Sequence, residues 1–278
     1  MTDVVESFNC AQCGAPLKIR EGEAVAVCEY CGSLNSLRAD KTYIIKHSWM
    51  PNKLTKDEAL RKAGEWMRGG MLMPPGLDEK AVTGASLAYV PLWVFDAKAR
   101  TDYSGVFLRG GGKEGKRVQG SEEKEFYWKV LGRRQSSFPV KEYKVPLSQK
   151  VPFSLEDLMR GEMLNSELDV EEAKAAAAQE IEGYMRGVLS EKVDRFDSLE
   201  VKIDFGEPEL VHVPVWFMEF GYKGGSYRLV MEGSDGGVLS GEIPPSDFLG
   251  GEMRLVIAIA AALVLVAACA FIALNLLR

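Results

Sequence analysis

Histidine is almost absent from this chain: His47 and His212 are the only two in 278 residues. They stand far apart and neither belongs to a nucleophile motif, so His-dependent hydrolytic chemistry has little to build on. No GxSxG, HExxH or GxGxxG occurs. Gly110-Gly-Gly-Lys-Glu-Gly-Lys116 comes near a P-loop, but Arg117 stands where the magnesium-ligating Ser or Thr belongs. The residues after it do not open a helix that could face a phosphate, so a glycine-rich hairpin tip is expected there. Adjacent carboxylates such as Glu122-Glu123 and Glu171-Glu172 read as solvated faces. The opening Met-Thr-Asp-Val-Val-Glu-Ser-Phe lacks the basic and apolar regions of a secretory leader.

Cysteine is scarce too, with five residues, yet four of them form two matched pairs. Cys10-Ala-Gln-Cys13-Gly14 and Cys28-Glu-Tyr-Cys31-Gly32 are both CxxCG knuckles. In such a knuckle the glycine lets backbone N–H groups tip toward two thiolates on a tight turn. The spacer Ala15–Val27 reads as strand, Glu-Gly-Glu turn, strand. A ribbon at 8–36 closing a tetrahedral S4 site on Cys10, Cys13, Cys28 and Cys31 follows. The expected cofactor is one structural zinc ion, with iron left open by the same donor set. Four thiolates leave no open coordination position, so the metal folds the ribbon and performs no chemistry.

Net charge is −6, and the ribbon shares the excess. Within residues 1–40, Asp3, Glu6, Glu21, Glu23, Glu29 and Asp40 stand against Lys18, Arg20 and Arg38. A tetrathiolate site adds further negative charge, which disfavours a phosphate backbone as partner. Lys113, Lys116, Arg117, Arg133 and Arg134 form a modest basic stretch elsewhere.

From Leu255 to Leu277 there is no charged residue, and Asn275 is the one strongly polar side chain. A run of that length suffices to cross a bilayer as a helix. The expectation is a C-terminal transmembrane helix at 255–277, a single-pass cell-membrane location, and a cytoplasmic bulk in keeping with paired thiols. Cys269, the fifth cysteine, is a small apolar residue of that run.

Between the two ends lies a degenerate repeat. Tyr89-Val-Pro-Leu-Trp93 in one copy matches His212-Val-Pro-Val-Trp216 in the other, and each precedes an alternating, extended run. Each copy is preceded by a helix signal. Thr55 and Glu58 make a capping box for a helix to Met67. Asp169 caps a second helix from Val170 to about Leu189, with Ile181, Tyr184, Met185 and Val188 as its apolar face. Strands are expected at Leu199–Phe205, Leu210–Phe220, Ser226–Glu232 and Gly237–Gly241. Pro91 and Pro214 belong at a strand start or edge, and Trp93 and Trp216 point into a core.

Together with a Trp128…Ser136-Ser-Phe-Pro…Val145-Pro-Leu-Ser segment, these features resemble a family. It is a group of uncharacterised prokaryotic zinc-ribbon membrane proteins, some labelled primosomal protein N′-like or DNA helicase PriA-like by transfer. The resemblance covers most of residues 8–250 and is most specific over Val213–Pro245. It implies a fold and a membrane context, and no activity; a helicase motor is excluded by the missing Walker A motif.

The expected fold class is α+β: a zinc ribbon (8–36), two small helix-plus-antiparallel-sheet units (40–150 and 151–250) and a transmembrane helix (255–277). The expected function is a membrane-tethered, non-enzymatic adaptor that binds other proteins through the ribbon and the sheet edges. A nucleic-acid-binding ribbon protein is the alternative, and an enzyme assembled from carboxylates of the β-units is a third reading.

Overall fold

The computed structural model describes residues 8–37, 45–70, 72–108, 115–134, 145–153 and 161–245. Strands β1 (Val25–Val27) and β2 (Leu34–Ser36) pair as the ribbon hairpin. There follow β3 (Lys46–Trp49), α1 (Lys56–Gly69), β4 (Val82–Phe107), β5 (Lys116–Leu131), β6 (Val151–Pro152), β7 (Glu162–Met163), α2 (Val170–Leu189), β8 (Arg195–Phe205), β9 (Glu209–Tyr222), β10 (Gly225–Glu232) and β11 (Val238–Gly241). The nine strands β3 to β11 form one sheet.

Both helices begin where their capping residues place them. The Thr55 side chain accepts from Glu58 N and the Asp169 side chain from Glu172 N, and both capping boxes are complete. The buried stripe of α2 is Val170, Ala173, Ala177, Ile181, Met185 and Leu189. Tyr184 and Val188, expected on that stripe, are exposed. Alanines let the helix lie close to the sheet, while the Tyr184 ring sits edge-on against Phe126 and Trp128.

The repeat governs the sheet. β4 and β9 run antiparallel with Val90 opposite Val213, Tyr89 opposite Pro214, and Pro91 opposite His212. The two Val-Pro-x-Trp segments therefore cross about an approximate twofold axis through the Val90–Val213 pair. The axis carries further pairs of contacts with it. Met50 N donates to His212 O and Leu164 N to Tyr89 O; Lys53 N donates to Gly233 O and Glu167 N to Gly132 O. β3 pairs parallel with β9 as β7 does with β4.

The two prolines sit inside these central strands, contrary to the edge position expected. Gly132 N donates to Pro91 O and Gly233 N to Pro214 O, both at 2.8 Å. A strand residue aims its nitrogen and its carbonyl at the same neighbour. Each proline nitrogen thus faces a seam: β7 gives way to β5 beside Pro91, and β3 to β10 beside Pro214. No ladder bond is lost at either.

Trp93 and Trp216 fall on the same face of the sheet and both are buried. α1 packs Ala59, Ala63 and Met67 near Trp216, Met218 and Phe220 at one end. α2 packs Ala173 and Ala177 near Trp93 and Phe95, and Ile181 and Met185 near Ala97 and Ala99, at the other. The opposite face carries Val90, Leu92, Val94, Val211, Val213 and Val215, met by Val145 and Leu147.

The expected α+β class is therefore corrected. Of the described residues 46% are in strands and 19% in helices, and the two helix-plus-sheet units are one mostly β structure. The physical reason is β4, a strand of 26 residues that pairs with the other copy of the repeat as well as with its own hairpin partner β5.

The membrane anchor is corrected as well. No helix among the described residues is long and apolar enough to cross a membrane. The longest, α2, has 20 residues but carries Glu171, Glu172, Lys174, Glu180, Glu182 and Arg186. Residues 255–277 lie outside the described residues, as do the glycine-rich stretch 109–114 and Ser136–Pro139. The membrane partner and the single-pass location that rested on 255–277 are withdrawn.

Candidate metal centre

The two knuckles fold alike. Gly14 N donates to Cys10 O and Gly32 N to Cys28 O, each at 2.8 Å, and both glycines have φ of +74°. That left-handed backbone is cheap only for glycine, which explains its place after each CxxC. Cys10 N donates to Ala15 O and Cys28 N to Ser33 O, closing each turn on its own strand.

The hairpin brings all four predicted ligands together. The Sγ atoms of Cys10, Cys13, Cys28 and Cys31 lie within 4.8 Å of one another. Cys10 and Cys31 are 3.6 Å apart and Cys13 and Cys28 are 3.7 Å apart. A tetrahedron with metal–sulfur bonds of about 2.3 Å has edges of about 3.8 Å, so the spacing fits an ion at its centre. These four residues could hold a metal ion, consistent with zinc.

The thiols also show why a cation belongs there. Burial raises Cys10, but hydrogen bonds from Ser33 and from the Cys13 and Gln12 N–H groups outweigh it and bring the thiol down to about 5. Cys13 is lowered by the Ala15 N–H, yet desolvation and the thiols of Cys31, Cys28 and Cys10 push it up to about 12. One centre cannot hold four thiolates without a compensating charge, and a divalent ion supplies it. The Ser33 hydroxyl, 3.1 Å from both Cys10 Sγ and Cys31 Sγ, is a second-sphere donor, and Asn35 braces it.

The ribbon is fastened to the sheet. Ala24 N and Val25 N donate to Ser166 O, and Ser166 N donates back to Val25 O. Val27 N donates to Asn165 Oδ1, whose amide nitrogen reaches Glu23 at 2.7 Å. Arg133, largely buried, pairs with Glu167 at 2.7 Å and Glu23 at 3.9 Å. Val25 itself joins the cluster around Trp93 and Phe95.

The family resemblance finds no counterpart outside the sequence. Comparison with known protein families, curated proteins and solved structures returns no match.

One constellation was missed by the sequence reading. His47 and His212, treated as unrelated, are neighbours: Nε2 of His47 is 2.9 Å from Nδ1 of His212. His212 Nε2 reaches Leu164 O at 3.0 Å, and His47 Nδ1 lies 3.4 Å from Gly32 O in the second knuckle. Phe153 stacks on His47. Three contacts need three N–H groups, and two neutral imidazoles carry two. The 3.4 Å contact is the one left without a proton. Burial drives both rings toward neutrality, His47 to about 4 and His212, with the charge of His47 adding to the effect, to about 3. The signal that could have found the pair was the parallel pairing of β3 with β9, which no local pattern encodes.

Proposed function

We propose that this protein is a non-catalytic adaptor that binds another protein through its metal-clamped ribbon. The observation that carries the reading is Tyr30, 65% exposed and fixed between Cys28 and Cys31 on the second knuckle. An aromatic side chain on a rigid turn offers apolar area and a hydroxyl at small entropic cost, the usual make-up of an interface anchor. The ribbon's bonds to Asn165 and Ser166 support it further, since a fixed recognition element loses little freedom on binding. The ion in this reading is one zinc, saturated by four thiolates and structural. The likeness of Val213–Pro245 to prokaryotic zinc-ribbon proteins agrees with such a role and adds no chemistry.

The test is affinity capture of the full chain against Tyr30→Ala, with elemental analysis of both. The expected result is one zinc per chain in both proteins, and a stoichiometric protein partner retained by the wild type and lost at least tenfold by the variant. Retention indifferent to Tyr30 would overturn the reading. So would salt-sensitive retention of nucleic acid, the signature of phosphate contacts.

A further inference from the structure

Strand β8 has one neighbour. Among the described residues it pairs with β4 alone, while β4 is flanked on its other side by β5. Its outer edge therefore presents a row of backbone donors and acceptors to which another strand can add. The register shift opposite Ser104 and Gly105 puts an extra residue in β8 at Asp197, so its regular part runs from Ser198 to Phe205. Leu199, Val201, Ile203 and Phe205 alternate there with Ser198, Glu200, Lys202 and Asp204. Val201, Ile203 and Phe205 turn to the face covered by Ile181 and Met185 of α2. Glu200 and Lys202 lie on the exposed face, 3.2 Å apart.

A second copy added antiparallel by a twofold axis normal to the sheet must place like faces together. Centred on Val201, that pairing sets Val201 against its own counterpart and Leu199 against Ile203, twice. On the other face it sets Glu200 against Lys202, also twice. Moving the centre by one residue either way destroys the match. A centre at Glu200 opposes glutamate to glutamate; a centre at Lys202 opposes lysine to lysine and Glu200 to Asp204. Like charges directly opposite are unfavourable and opposite charges favourable on a sheet face. The seven residues from Ser198 to Asp204, centred on Val201, match the regular part of the strand up to its bulge.

We propose that β8 is a homodimer edge: two copies join β8 to β8 antiparallel about Val201, extending one sheet into the other. This inference does not depend on the ribbon reading, because it uses neither the ribbon nor its metal.

Sedimentation equilibrium of the full chain over a concentration series, at low ionic strength, tests it. The wild type is expected to dimerise. Glu200→Lys and Lys202→Glu each turn two attractive pairs into repulsive ones and should each weaken dimerisation by about tenfold or more. The double exchange Glu200→Lys/Lys202→Glu should restore it. Both side chains are exposed, so unchanged thermal melting of the monomer is the control for folding. A wild type that stays monomeric across the series overturns the proposal. A dimer indifferent to both single variants overturns the β8 interface, and failure of the double exchange to restore it overturns the Val201 register.

Discussion

The two loops that lead from a short strand into a helix, 50–54 after β3 and 164–168 after β7, share one backbone scheme and carry different cargo. In each, the strand ends six residues before the N-cap, Trp49 before Thr55 and Met163 before Asp169. Each loop also accepts a tryptophan indole: Trp216 Nε1 donates to Asn52 Oδ1 at 3.3 Å, and Trp93 Nε1 to Ser166 Oγ at 3.0 Å and Leu168 O at 3.1 Å. Only the second loop binds the ribbon, and only beside His212 does a second histidine stand; the matching Tyr89 packs against Trp49 instead. Backbone hydrogen bonds and the buried tryptophans persist because a central strand cannot shed them without cost. The side chains that diverge are those that meet the ribbon.

Removing the metal should break the comparison most severely. A structural zinc contributes about 10–16 kcal/mol to small finger folds. Chelation, or Cys28→Ser, should unfold the ribbon and free Ser166 N from Val25 O. Hydrogen exchange followed by mass spectrometry should then show protection lost over 162–168 and kept over 48–54. Equal loss in both loops would mean that the ribbon holds the whole sheet, and no loss in either would mean that it folds without metal.

Truncating the tryptophans is next in size. Burial of these rings predicts a cost of about 3–5 kcal/mol for either change to Ala. Trp93→Ala should be the more severe, because Trp93 is 0% exposed with two acceptors for its N–H, and Trp216 is 6% exposed with one. Denaturant midpoints decide the order; a reversal would place the tighter packing under α1.

The histidine pair should separate the copies by pH. Both folded-state values lie below the ordinary 6.5, so the unfolded chain binds more protons in between. The neutral pair's stabilisation is fully present above about pH 6.5 and is lost as pH falls toward 4 and 3, by up to about 1.4 kcal/mol per pH unit for each ring. The double variant His47→Leu/His212→Leu should lose that slope. Measuring it as the difference from wild type cancels acid release of the metal, which both proteins share. An unchanged slope would mean the rings already carry charge in the fold.

Local signals were legible, and pairings between distant segments were not. The knuckles, both capping boxes and the strands from β8 to β11 announce themselves within a few residues, through glycines, caps and alternation. The interlocked sheet does not. An alternating strand reads the same whether its partner is its own hairpin or the other copy of the repeat, and β4 has both kinds along its length. The histidine pair fails for the same reason, since His47 meets His212 only after β3 docks on β9. Tyr184 and Val188 were misplaced by taking apolar spacing without asking which face carried the small residues; Ala173 and Ala177 mark the contact.

The smallest expected effect is at the prolines, where the repeat makes its sharpest claim. If both nitrogens face a seam, replacing either by alanine removes no contact and breaks no ladder bond. What remains is the entropy returned to the unfolded chain, about 0.4–1 kcal/mol of lost stability. Pro91→Ala and Pro214→Ala should therefore cost the same small amount, because Gly132 and Gly233 bind their carbonyls identically. Denaturation of the two variants side by side provides the check. A cost of several kcal/mol at one site alone would show that its ring fills space between the helices that its counterpart does not. The approximate twofold would then hold for the backbone and fail for the packing at the very centre of the sheet.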